Sequence, residues 1–292
     1  MTAVRIAVGI ATRGRAAVLA ETLAEIGRQR RAPDRVIVCH VSPEDVTGAA
    51  AAPGVEFLAA PAGLPRQRNA VLDAAGDCDA VLFLDDDFLP APDYLAVTEA
   101  VLAARPDAVV TDGTVVADGA KGPGLSVAEG RALLAADRPP ADPLACAPHF
   151  NGYGCNMAVR MAPVRAHGLR FDEALPLYAW YEDIDFTRRL GRHGAILRLQ
   201  GARGVHLGVK SGRVPGRRLG YSQVANPIYL ARKGSFPWSH ALPSALRHLA
   251  MNAARAAWPE PHVDRAGRLG GNLLAVWDLL RGRASPGRVL EL

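Results

Sequence analysis

Asp85-Asp86-Asp87 stands directly after the apolar run Val81-Leu82-Phe83-Leu84. Three adjacent carboxylates repel one another, so they are a costly way to end a strand unless a cation or hydrogen-bond donors compensate. Hard divalent ions take oxygen ligands of this kind and often share them with substrate phosphates. In an extended chain the first and third residues project to the same side. Asp85 and Asp87 can therefore serve one ligand together, Asp85 through a nucleotide or a water and Asp87 directly on a metal. The same residues also suit a solvated turn or a helix N-cap, where Asp is favoured.

A second acidic group lies in Trp180-Tyr181-Glu182-Asp183-Ile184-Asp185-Phe186. It reads as a loop entering a helix, with Glu182 and Asp183 at the helix start, where the macrodipole favours negative charge. A carboxylate among aromatic, partly apolar neighbours can also have its pKa raised into the range of a general base. Trp180 and Tyr181 could stack on a sugar ring or belong to the core. His206, after Val205, is open to a structural role or to metal ligation, histidine being a common ligand. His40, His167 and His193 read as structural. Arg217 and Arg218, in the loop that begins at Ser211, suit a diphosphate through paired hydrogen bonds, and equally a solvated basic loop.

The elements that must hold these residues alternate. Strands are expected over Val4–Ile10, Arg35–Val41, Val55–Leu58, Val81–Leu84 and Ala108–Thr111. A helix over residues 16–29 follows from Val18, Leu19, Thr22, Leu23 and Ile26 at helical spacing. Another suits residues 65–75, and a third is expected to run from Pro90 and Pro92 to Ala104, since Pro is tolerated in a first turn. Strands alternating with helices imply an α/β, doubly wound, mostly parallel sheet. Ligands in such sheets bind beyond the carboxyl ends of the strands, which points to Thr12-Arg13, Ser42–Asp45 and Asp85–Asp87. Residues 117–150 read as a loop and short helix. Residues 151–210 read as a Gly-rich strand, the acidic cluster, a basic helix and two short strands. Residues 241–258 and 268–282 read as amphipathic helices that could pack on the core or lie on a membrane. The division expected is a domain over 1–210, nucleotide-binding through 115 and acceptor-binding from 116, followed by a basic helical extension over 211–292.

Bulk properties set the frame. The chain has 292 residues, 49% hydrophobic and 22% charged, which is ordinary for a globular protein. The net charge of +5 hides a split. Residues 1–187 carry 16 basic and 25 acidic residues, and residues 188–292 carry 18 and 4. No apolar run is long enough for a membrane span, and the amino terminus enters a strand-like run with no signal-peptide pattern, so a cytoplasmic location is expected. Cys39, Cys78, Cys146 and Cys155 form no C-x-x-C pair and read as reduced thiols. The only low-complexity run is Ala49–Ala52.

Taken in order, six segments resemble a glycosyltransferase of family 2 over residues 4–210. They are the first strand with Thr12-Arg13-Gly14-Arg15, then Gln67-Arg68-Asn69, Leu84-Asp85-Asp86-Asp87, Asn151-Gly152-Tyr153-Gly154-Cys155-Asn156-Met157-Ala158-Val159-Arg160, Glu182-Asp183-x-Asp185-Phe186 and Val205-His206. The resemblance implies a GT-A fold, inverting chemistry and a nucleotide-sugar donor, a UDP-sugar being favoured. It places Thr12, Arg13, Ser42, Arg68, Asn69, Asp85 and Asp86 around the nucleotide. Asn156, in the segment Gly154–Met157, and Trp180 would contact donor sugar or acceptor. Asp85, Asp87 and His206 would hold Mn²⁺ or Mg²⁺, and Asp183, with Glu182 beside it, would be the catalytic base. Two departures stand out. Cys39-His40-Val41-Ser42-Pro43-Glu44-Asp45 replaces the family's acidic pair and Gly-Ser, and Cys155 replaces a glycine. The Q-x-x-R-W signature of processive synthases is missing, which implies one sugar per encounter. The segment 267–286 is similar to tails of bacterial exopolysaccharide enzymes, which implies a glycan or lipid-linked saccharide acceptor in polysaccharide biosynthesis.

Two other functions fit parts of the chain. A nucleotidyltransferase would use a similar sheet and metal but a richer phosphate loop than Thr12-Arg13-Gly14-Arg15. A polyanion or nucleic-acid binder would use the basic second part, but its arginines are not interleaved with aromatics in a known module. The acidic motifs favour phosphates in the site and an anionic membrane beside it over nucleic acid as the partner of that basic region.

Overall fold

The β-branched and leucine-rich runs of the first part of the chain pair side by side in the same direction. The computed structural model describes residues 3–49, 54–211, 215–258 and 260–292. Residues 50–52 of the alanine run and residues 212–214 of the basic loop lie outside the described residues. The first part of the chain forms β1 (Ile6–Ala11), α1 (Ala16–Gly27), β2 (Arg35–His40), β3 (Val55–Ala59), α2 (Leu64–Ala74) and β4 (Ala80–Asp85). It continues as β5 (Phe88–Pro90), α3 (Tyr94–Ala104), β6 (Ala108–Asp118), α4 (Val127–Ala136), β7 (Cys146–Pro148) and β8 (Asn156–Arg160). Then come α5 (Met161–Ala166), α6 (Glu182–Leu190), β9 (Ala195–His206), α7 (Gly216–Lys233), α8 (Trp238–Arg255) and α9 (Arg265–Leu280).

Among the described residues the strands form one sheet in the order β3-β2-β1-β4-β8-β6-β9-β5, with β7 on β9. The block β3-β2-β1-β4 is parallel throughout. β8 then joins β4 antiparallel, and β6 pairs parallel with β9. Ile6, Val8, Ile10, Val38, Leu82 and Leu84 pack with Leu19, Leu23 and Ile26 of α1 in the main core. Truncating one of these leucines to alanine would cost roughly 2–5 kcal/mol. Cys39, Cys78 and Cys155 are buried free thiols and Cys146 is half-buried.

The chain divides into two units. One is Met1–Ala62, Arg66–Arg170 and Arg189–Gly212, and holds the sheet. The other is Gly63–Pro65, Phe171–Arg188 and Arg213–Leu292, and holds the start of α6 with α7, α8 and α9.

Several elements differ from the expectation. Pro90 belongs to β5, which pairs antiparallel with β9, and α3 starts only at Tyr94. Proline is tolerated there because β5 is a three-residue edge strand. The two short strands expected before residue 210 are one strand, β9, whose register on β6 jumps from Leu199 to Arg203. A bulge of this kind interrupts the alternation that marks a strand. β6 runs to Asp118, and α4 begins with a capping box in which Ser126 Oγ accepts from Glu129 N and Glu129 accepts from Ser126 N. The helix α7 was not anticipated. Pro227 lies inside it and removes one internal hydrogen bond, and Gly220 lowers its propensity. Gly220 is there for contact: a Cβ on it would lie 2.1 Å from Arg268 O of α9.

Candidate active site

The apolar run of β4 sits between parallel and antiparallel neighbours, so its residues are buried and its carboxyl end delivers the acids at the sheet edge. β5 then pairs antiparallel with the end of β9, setting Phe88 opposite His206. That register brings His206 to the acids. Its Nε2 lies 3.3 Å from Asp87 Oδ1 and 3.8 Å from Asp85 Oδ2. One donor atom from each of Asp85, Asp87 and His206 falls within 4.8 Å of the others.

The chemistry of this set fits a divalent cation. Asp87 is 1% exposed, and its Oδ1 makes no hydrogen bond while it faces the imidazole. Its Oδ2 is occupied: Val209 N donates to it at 2.7 Å, and the Arg15 guanidinium stands 3.6 Å away. Two carboxylate oxygens and an imidazole nitrogen match Mn²⁺ better than Ca²⁺. Behind the ring, Nδ1 meets Asp118 Oδ1 at 2.9 Å, which fixes the ring and leaves Nε2 toward the acids. Tyr153 adds its hydroxyl to Asp118 at 3.3 Å and packs edge-on against the imidazole.

The charges are strongly coupled. Burial works against a charged imidazole, but the hydrogen bond to Asp118 and the close carboxylates of Asp87 and Asp85 hold His206 up at about 10. Burial opposes the Asp87 carboxylate, and His206, Arg15 and Val209 N more than offset it, so its pKa falls. Asp86 points the other way. It is raised by burial, against the opposing charge of Arg15, and further by its two acidic neighbours. Its oxygens accept from Thr12 Oγ1 at 2.8 Å and Arg15 Nη1 at 2.9 Å.

The other expected residues fall into distinct places. Thr12 is 2% exposed; its hydroxyl serves Asp86 and its carbonyl accepts from Gln67 Nε2. Thr12 therefore shapes the floor. Arg13 is exposed in the loop after β1. Ser42 follows β2 half-buried, its N–H donating to Asp45, whose other oxygen accepts from Gly14 N. Asp45 thus ties together the loops after β1 and β2. Arg68 is buried, donating to Asp85 Oδ1 at 3.2 Å and to Gly154 O at 2.7 Å, so it orients Asp85. Asn69 is buried in α2. Asn156 has no exposed surface, and its amide donates to Gly113 O across the sheet. Its side chain joins neighbouring strands.

Glu182, Asp183 and Asp185 lie in the first turn of α6, in the helical unit. Leu177, Ala179 and Tyr181 before it all have positive φ, of 60°, 51° and 74°. Such strain in non-glycine residues concentrates where a side chain must be aimed. Glu182 is buried at 4% and Asp183 is half-buried. Trp180 stacks on Tyr181 and meets His248 edge-on, and its buried indole N–H makes no hydrogen bond among the described residues. Trp180, Tyr178, Ser222 and Arg218 line a shallow, open depression. Arg217 and Arg218 belong to the first turn of α7 rather than to a loop.

Arg15 and Asp118 were missed by the sequence reading. Arg15 joins Asp86 and Asp87 to the segment after β9, donating to Val209 O and Ser211 O. That segment turns at Gly208, whose φ of +65° and close approach to Ala120 N exclude a side chain. Asp118 is the strand partner of His206 on β6. The only sequence signal for either was charge at a strand end.

No family model and no curated protein matches the sequence. Solved structures do. S. aureus TarS 1-349 is 14% identical, with a TM-score of 0.53 over 95% of this chain and 92% of that one. Mannosyltransferase PcManGT from Pyrobaculum calidifontis, in complex with GDP-Man and Mn²⁺, is 19% identical, with a TM-score of 0.52 over 99% of this chain and 86% of that one. GalNAc-T7, with UDP, GalNAc and Mn²⁺, is 12% identical, with a TM-score of 0.58 over 99% of this chain and 56% of that one. At these identities the likeness establishes architecture and not reaction: the chain has the GT-A fold of glycosyltransferases.

Proposed function

We propose that the chain is a metal-dependent inverting glycosyltransferase that moves a sugar from a nucleotide-diphosphate donor, a UDP-sugar being favoured, to an acceptor hydroxyl. The observation that carries this reading is the Asp85–Asp87–His206 cluster at the carboxyl end of β4, within a fold shared with nucleotide-sugar enzymes. Asp85, Asp87 and His206 would hold Mn²⁺ or Mg²⁺. An ion bound there would neutralise charge on the leaving diphosphate. The chain's own residues do the rest. Arg15 and Arg68 hold the carboxylates in place, and Asp118 holds the imidazole. Asp183, with Glu182 beside it, takes the acceptor proton as the hydroxyl oxygen attacks C1 from the face opposite the leaving group. Trp180 offers an aromatic surface to a sugar. The acceptor is a glycan or lipid-linked saccharide of a bacterial polysaccharide pathway, met on the cytoplasmic side.

Arg15 argues against a nucleotidyltransferase. Its guanidinium is engaged by Asp86, Asp87 and two backbone carbonyls, which leaves Arg13 as the exposed arginine of the loop after β1, a thin provision for a triphosphate. The deciding experiment supplies nucleotide sugar plus acceptor in one arm and nucleoside triphosphate plus sugar phosphate in the other. Alongside it, calorimetry follows Mn²⁺-dependent UDP binding by the parent and by Asp87→Ala. Consumption of nucleotide sugar, and loss of Mn²⁺-dependent binding in Asp87→Ala, are expected. Consumption of triphosphate, or unchanged binding by the variant, would overturn the reading.

A further inference from the structure

In the helical unit, α8 and α9 pack against α7 and against each other with their usual polarity reversed. The buried side of α9 carries Gly271, Asn272, Ala275 and Asp278. Its opposite side carries Leu273, Trp277 and Leu280, exposed by 55%, 50% and 78%. These three recur at i, i+4 and i+7 and so form one line along the helix. On α8 the buried residues are Ala241, Ala245 and Asn252, while Trp238, Leu242 and Leu246 stand outside at i, i+4 and i+8.

The interior that these helices share combines a small apolar cluster, with Val224, Ala225, Ala245 and Ala275, and a buried polar network. Asn252 Nδ2 donates to Gln223 Oε1 and to Asn272 Oδ1, Asn272 Nδ2 donates to Gly220 O, and Tyr221 Oη donates to Asp278. A water-facing helix normally turns its large apolar residues inward and its polar ones out. Among the described residues twelve large apolar side chains are exposed, and nine of them lie between Trp238 and Leu290. A concentration of that kind marks a surface that something covers.

Charge and side-chain type select the occupant. Residues 213–292 hold 12 Lys and Arg against 4 Asp and Glu. Arg247, Arg255, Arg281 and Arg283 are exposed on or just after the same helices. The Arg281 guanidinium lies 4.1 Å above the Trp277 ring, a cation and an indole presented together. Three of the chain's four tryptophans, Trp238, Trp258 and Trp277, are exposed here. Tryptophan with arginine is the composition of a helix lying in the membrane interface. A second copy of the chain would bring one basic face against another, which disfavours that occupant. Among the described residues no helix is long and apolar enough to cross a bilayer.

We propose that the outward faces of α8 and α9 form a docking surface for an anionic lipid bilayer, on which the helices lie in the plane of the interface. The apolar line enters the acyl boundary and the arginines meet lipid phosphates.

The test is flotation of the full chain with extruded vesicles of phosphatidylcholine alone and of phosphatidylcholine with phosphatidylglycerol. The parent is expected to float with the anionic vesicles and to bind neutral ones about tenfold more weakly or less. Added salt should weaken the anionic binding. The variant Leu273→Ser/Trp277→Ser/Leu280→Ser should lose binding by about tenfold or more. All three positions are exposed, so its circular dichroism and melting should match the parent's. Should that variant fail to fold, Arg281→Glu/Arg283→Glu is expected to abolish the preference for anionic vesicles. A parent that stays in solution with anionic vesicles at low salt overturns the proposal. So does a folded apolar variant, or a charge-reversed variant, that binds as the parent does. A parent that forms dimers dissolved by the apolar substitutions, and that binds no vesicles, assigns the face to a second copy instead.

Discussion

Asp87 and Asp183 both lie among other carboxylates, but the two acidic clusters spend their charge differently. Around Asp87 the compensating groups are fixed: the Arg15 guanidinium, the His206 ring and the Val209 N–H. Together they hold the carboxyl below its ordinary range. Such a group stays ionised at neutral pH and is suited to a cation rather than to a travelling proton. At the start of α6 the deeply buried acids are Glu182 and Asp185, and Asp185 is held by Lys233 at 2.8 Å. Asp183 lies between them in sequence and is half-buried. A carboxylate that fixed donors hold ionised is available as a ligand, whereas the half-buried carboxylate of Asp183 is the one proposed to take a proton.

The largest expected effect separates these two jobs. Asp183→Asn should lower turnover by ~10²–10⁴-fold, the usual worth of one positioned base, and leave the Kd for UDP with Mn²⁺ unchanged. Asp87→Ala should lose turnover and binding together. Steady-state kinetics paired with calorimetry read the split. The comparison breaks if Asp183→Asn weakens donor binding as much as turnover, or if its turnover stays near the parent's.

The contrast also explains what was visible in the sequence. β1 to β4 were legible because each is a short run rich in apolar residues, and Asp85–Asp87 because they follow one of those runs directly. Asp118 was not, since its role comes from its register opposite His206, 88 positions away in the chain. Arg15 looked like part of a basic loop, yet it acts on Asp86, 71 positions away. Asn156 stood out only through the resemblance of the segment Gly154–Met157, and its burial follows from the pairing of β8 with β4 and β6, which no local pattern shows. The helix α7 was hidden by Gly220 and Pro227. Those residues weaken a helix taken alone, and α9 repays the glycine with close packing at Gly220 and Gly271.

A middle-sized effect is expected at Asp118, which touches the metal cluster only through His206. Asp118→Asn removes the charge behind the ring, and Mn²⁺ affinity should fall by ~10–100-fold. The fold should persist, because Asp118 is half-buried and Ala120 N can still donate to an amide oxygen. Calorimetric titration with Mn²⁺ measures the loss. Unchanged affinity would mean that the imidazole is fixed by Tyr153 and the β5 pairing alone, and that the cluster needs no charged support.

The smallest effect belongs to the second cluster and tests whether Asp185 is structural. Lys233 Nζ bridges two acids, lying 2.5 Å from Asp172 and 2.8 Å from Asp185, and Tyr229 Oη donates to Asp172 at 2.8 Å. Burial raises the pKa of Asp172, but the Lys233 and Tyr229 hydrogen bonds outweigh it and the net direction is down. A carboxyl whose folded pKa lies below its unfolded value of about 3.9 contributes stability that is fully present above that value. The contribution fades as pH falls through the folded pKa. Asp172→Asn should therefore cost about 1 kcal/mol at neutral pH and progressively less as the solution is acidified below about pH 4. Urea unfolding at the two pH values reads the difference. Turnover should stay near the parent's, because Lys233 keeps Asp185 as its partner. If Asp172→Asn instead lowers turnover as strongly as Asp183→Asn, the Lys233 bridge belongs to the proton-accepting apparatus, and Asp185 is no longer set apart from Asp183.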